Sequence, residues 1–150
     1  MTTRTVLISI TLISLVIIGG AYLFARSMGI HRFDPSQVPT ITVSPGLRPT
    51  IAFDPPTAYT LQVYEGPEDG DGLGVLWTAR GPGGYENDLH SPVTYGVPPE
   101  GSEVGPAPPL ESGQVYTVTV YRKDPKGDGD GFFNTRHRYD GQLTFTASEE

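Results

Sequence analysis

The side chains with most chemical potential in this 150-residue chain are carboxylates set beside glycines. GPEDGDG (66 to 72) and KGDGDG (126 to 131) repeat Asp and Gly in alternation, as do loops that ring a calcium ion with oxygen. The detail does not fit. With Gly131 at the turn position of such a loop, Lys126 falls on the first ligand and His137 on the bidentate one; with Gly72 there, Pro67 falls on the first. Asp and Gly are also ordinary turn residues, and that is their expected role, with no calcium and no other metal. His31, His90 and His137 share no ligand spacing, and there is no Cys to act as nucleophile or thiolate ligand. No hydrolase, zinc-protease, P-loop or dinucleotide fingerprint occurs either. The expectation is a protein that is not an enzyme and holds no cofactor.

A different chemistry is suggested by Phe132 to Tyr139, FFNTRHRY. Of the ten basic residues, Arg4, Arg26 and Arg32 precede Phe33, leaving seven against seventeen acidic ones, a formal charge of −10. Nucleic acid is therefore not an expected partner. FFNTRHRY is the aromatic and basic exception within this acidic region. Phe132, Phe133, Arg136, His137, Arg138 and Tyr139 include the residue types that anchor protein interfaces, so a partner-contact loop is expected. A hairpin extension that tucks one Phe into the core and leaves the arginines in water would have the same composition.

Two elements must position this loop. The first is Val6 to Ala25, VLISITLISLVIIGGAYLFA, which has no charged side chain. A helix of that length is about 30 Å long, roughly the thickness of a bilayer's hydrocarbon core. Gly19 and Ala21 could form a cleavage site, but the run exceeds the apolar core of a signal peptide, so an uncleaved anchor is expected. Arg4 on one side and Arg26 and Arg32 on the other leave the charge rule without a preferred orientation. Gly19 and Gly20 would let a neighbouring helix approach closely. The chain is thus divided into a tail (1–5), a single-pass transmembrane helix (6–26), a linker (27–38) and a domain (39–148).

The second element is that domain, where the pattern changes to period-two alternation. Seven strands are expected, at 41–43, 50–53, 58–65, 74–79, 92–96, 115–123 and 141–147, with Trp77 in or beside the core. The connection 97–113 is too rich in Pro and Gly for regular structure. YTLQVYEGPEDGDG and YTVTVYRKDPKGDGDG echo one another as two similar strands ending in similar turns. Seven short strands in this length argue for an all-β sandwich of two sheets.

LESGQVYTVTV (110 to 120) resembles the segment leading into the sixth strand of fibronectin type III domains, with Leu110 six residues before Tyr116 and a Gly between them. IAFDPPTAYTLQVYE resembles that family's second strand, proline turn and third strand, with Phe53 where Trp is usual. The resemblance implies a fibronectin-III-like sandwich in which the Tyr116 hydroxyl bonds upstream backbone. It also implies that FFNTRHRY lies at the end of the sandwich where the chain arrives from the anchor, and the 66–72 turn at the opposite end. It implies a fold and no reaction.

The resulting functional expectation is a non-catalytic accessory or scaffolding subunit of a larger membrane protein complex, respiratory or photosynthetic assemblies being suitable settings. Its partners would be membrane subunits and the lipid bilayer. The N-terminus would be cytoplasmic and the sandwich would cap the complex on the periplasmic or extracellular side. The alternative is a membrane-tethered surface module that binds a protein or glycan.

Overall fold

The computed structural model describes residues 16–24, 33–67, 74–83, 86–102, 104–125 and 138–149. Among the described residues a 3-10 turn, Pro35–Gln37, is followed by nine strands: β1 (Thr40–Val43), β2 (Thr50–Asp54), β3 (Thr57–Ala58), β4 (Thr60–Glu65), β5 (Val75–Arg80), β6 (Leu89–His90), β7 (Val93–Thr94), β8 (Val115–Lys123) and β9 (Arg138–Thr146). All pairings are antiparallel. They form sheets ordered β1-β2-β7 and β5-β4-β8-β9, with β3 and β6 as a separate pair.

Alternation along the chain decides which side of each strand is buried. Ile41 stands opposite Phe53 and Val43 opposite Ile51, while Ile51 also faces Val93. In the larger sheet Leu61 lies between Ala79 and Val120, and Val63 between Trp77 and Val118. The inward residues of both sheets form one cluster, in which Ile51, Leu61, Val63, Val118 and Val120 are fully buried. Each contributes about 1.5–3 kcal/mol by leaving water. The result is a sandwich-like, all-β fold.

The strand count differs from the seven expected because 58–65 divides at Tyr59. The Tyr59 N–H donates to Tyr121 O, whereas Thr57 and Ala58 pair instead with His90 and Leu89. One sequence run thus serves two sheets, and β6 exists only as the partner of β3. β9 begins at Arg138, three residues before its expected start, because pairing with β8 continues to Lys123 opposite Arg138.

The connection 97–113 has no strand or helix among its described residues, yet it closes the core. Ala107 and Leu110 are buried, the Leu110 N–H donates to Leu47 O at 2.9 Å, and Trp77 Nε1 donates to Gly105 O at 3.0 Å. Trp77 also meets Tyr95 edge-on at 5.4 Å between ring centroids. The Tyr116 hydroxyl accepts a 3.0 Å bond from the Glu111 N–H, pinning this connection to the start of β8.

Two units divide the chain. Phe33–Pro125 with His137–Glu150 contains the sandwich just described. In the other unit residues 16–24 are described, and they are helical. Six large apolar side chains in that helical stretch, Val16, Ile17, Ile18, Tyr22, Leu23 and Phe24, are 62–68% exposed. Nothing lies within 4 Å of a Cβ built on Gly19 or Gly20. Among the described residues no helix is long and apolar enough to cross a membrane. The rest of the expected 6–26 span lies outside the described residues.

Candidate functional site

The end of the sandwich where the chain arrives at Phe33 is built from five segments. Residues 33–38, assigned to the linker on sequence, fold against the domain. Asp34 caps the 3-10 turn by accepting from the Ser36 N–H at 3.1 Å, and its own N–H donates to the Tyr139 hydroxyl at 3.2 Å. The Phe33 and Tyr139 rings lie 5.2 Å apart. Arg122 is buried at the end of β8 and donates to Thr57 O, to Thr57 Oγ1 at 2.7 Å and to Gln37 Oε1 at 3.3 Å. It ties β8, β3 and the arriving chain together. Burial lowers its pKa, with Asp54 acting in the opposite sense, and a guanidinium so far above neutrality stays charged. Asn87 completes this end, its side-chain amide donating to Lys123 O and accepting from the Lys123 N–H, both at 2.9 Å.

The 66–72 turn leaves from the other end. The Gly66 N–H donates to Val115 O, at the start of β8, at 2.8 Å. Gly66 and Pro67 are the residues of that turn within the described structure, and the second Asp-Gly run lies outside it.

Within FFNTRHRY, Phe132, Phe133, Arg136 and His137 lie outside the described residues. Arg138 and Tyr139 begin β9 and point to opposite sides of the sheet. Tyr139 is 1% exposed, so its role is to fasten the arriving chain; a side chain so buried has no surface to offer a partner. Arg138 faces solvent, with its side chain 59% exposed, and donates to Asp140 Oδ2 from Nη2 at 2.7 Å and from Nε at 3.0 Å. Its guanidinium carbon stands 4.8 Å from the centroid of the Tyr121 ring.

That stacking opens onto a feature that reasoning from sequence missed. The outer face of the larger sheet carries Tyr59, Tyr64 and Tyr121. Lys123 Nζ lies 5.6 Å over the Tyr59 ring, and the Tyr59 and Tyr121 rings are 6.2 Å apart. The Tyr64 hydroxyl donates to Gln62 Oε1 at 2.6 Å, which leaves Tyr121 as donor in the 3.3 Å contact between the two hydroxyls. Burial, followed by this bond to Tyr64, pushes the Tyr121 phenol up to about 12. Burial likewise raises Tyr59. Thr60, Thr117 and Thr119 are buried, although their side chains belong to this outer face. Tyr64 and Tyr121 occupy solvent-side positions of their strands in the sequence, but Tyr is also a good strand former and the alternation alone does not single them out.

A cleft of about 590 Å³ lies elsewhere, with Asp88, His90 and Glu100 among its walls. Asp88 accepts from the Gly83 N–H through one oxygen, and its other oxygen is buried with no hydrogen-bond partner among the described residues. Among the described residues no group of three His, Asp or Glu side chains could hold a metal. The end where the chain arrives thus carries hydrogen-bonded and stacked aromatic and cationic side chains. Comparison of the chain with models of protein families, with curated proteins and with solved structures finds no match.

Proposed function

We propose that this is a single-pass membrane protein whose fibronectin-III-like sandwich stands outside the cytoplasm as a non-catalytic accessory subunit of a larger membrane complex. The observation that carries the reading is the run of large apolar side chains exposed on helical residues 16–24, within a twenty-residue stretch of sequence lacking charge. In water such a surface would be covered; lipid or a neighbouring helix is the natural cover. The fibronectin-III-like assignment is supported by the three-plus-four division of the main strands and by the bond from the Glu111 N–H to the Tyr116 hydroxyl.

The test is migration in mild detergent after extraction from the native membrane. The protein is expected to travel with a large complex, and running alone would replace this reading with that of a free binding module. Deleting 132–137, sparing buried Tyr139, is expected to weaken co-migration. Unchanged assembly with a less stable domain would make the loop a mere hairpin extension. Protease added to intact cells is expected to reach the sandwich, and complete protection would place it on the cytoplasmic side.

A further inference from the structure

The tyrosine-bearing face of the larger sheet has a charge opposite to that of the domain. By strand register its outward positions include Arg80, Lys123, Arg138 and one carboxylate, Asp140. Among the described strand positions of this face, three cations thus stand against one anion, in a region whose formal charge is −10. All three lie at the end where the chain arrives, since Arg80 closes β5, Lys123 closes β8 and Arg138 opens β9. We propose that this face docks on a carboxylate-bearing surface of a neighbouring membrane subunit, with Arg80, Lys123 and Arg138 meeting the carboxylates. The proposal rests on the accessory-subunit reading and names the contact that reading lacks.

The central groups of this face, Arg138 and Tyr121, are held in place by their neighbours. Arg138 is held by Asp140 and stacked on Tyr121, and Tyr121 is tied through Tyr64 to Gln62. Association therefore immobilises little that was free, which is how Tyr and Arg become interface anchors. Composition favours a protein over headgroups, because Tyr59, Tyr64 and Tyr121 stand beside the cations and Tyr with Arg is the usual pairing of protein interface anchors. The nine residues of β8 are about 30 Å long. Four strands about 4.8 Å apart give a face on the order of 500 Å². That is below the roughly 800 Å² per partner of a self-sufficient interface, so the contact depends on the anchor for a high effective concentration.

The full-length protein in its native membrane tests this with a photo-crosslinking amino acid at Gln142, exposed on this face, or at Thr42, exposed on the other sheet. Gln142 is expected to give a discrete adduct with one protein chain and Thr42 none. The adduct should fall about tenfold in the Arg80→Glu/Arg138→Glu protein, and also when salt is raised on the unsubstituted chain, a control that needs no refolding. Equal adducts from both positions, an adduct indifferent to charge reversal and salt, or adducts to lipid alone would overturn the proposal. If Gln142 is silent while co-migration persists, this face fails and the accessory reading stands. If the unsubstituted protein runs alone, the accessory reading itself fails.

Discussion

Tyr116 concentrates much of the fold's specificity in one hydroxyl. Its acceptance of the Glu111 N–H holds a connection with no regular structure against β8. Tyr116→Phe keeps the buried ring and leaves that N–H without its acceptor, so a loss of about 1–2 kcal/mol is expected. It should appear as a lower urea midpoint with an unchanged slope, and an unchanged midpoint would deny the bond its role. Tyr121 gives a prediction in pH. Its folded phenol is raised to about 12, while the unfolded value is 10.0. Between those values the folded state keeps a proton that the unfolded state has lost, so this contribution is complete below pH 10 and declines as pH rises toward 12. Thermal unfolding followed across that window should show stability falling, and Tyr121→Phe should make the fall shallower. A slope identical in both proteins would contradict the assigned network.

Strand β9 depends on a close approach that admits no side chain. A Cβ at Gly141 would lie 2.0 Å from Pro39 O and 2.8 Å from Pro39 Cβ, where the chain leads into β1. Gly141→Ala is expected to cost about 3 kcal/mol, because backbone rather than a flexible side-chain tip must move. Gly105→Ala, where nothing lies within 4 Å, is the matched control and should be nearly neutral by calorimetry. Comparable losses in the two variants would remove the argument from crowding. The same strand shows what could be read in advance. VYTVTVYRK announces β8 because alternation continues through nine residues, and GQLTFTA announces most of β9. The first three residues of β9 are hidden because RYD reads as polar loop until pairing with β8 sends Tyr139 inward. β3 and β6 are hidden for a related reason: two-residue strands have no periodicity of their own and form only when the folded chain brings them together. Of the contact cluster, Arg138 is legible from its type and neighbourhood. The tyrosines it meets are not, since their solvent-side grouping arises from the register of β4 against β8 and from the break in the chain at Tyr59.

At the scale of the whole molecule, an acidic sandwich-like domain follows a long uncharged apolar stretch. The short helical stretch described within it already exposes six large apolar side chains. The proposed helical span through 6–26 would give those side chains an environment that water does not. Tyr139, Arg122 and Asn87 order the end of the sandwich where the chain enters at Phe33. Alkaline carbonate extraction of membranes containing the full-length protein is the decisive measurement of anchoring. The protein is expected to stay in the membrane pellet, while a chain beginning at Phe33 is released to the supernatant. Full-length protein released as completely as the shortened chain would contradict it.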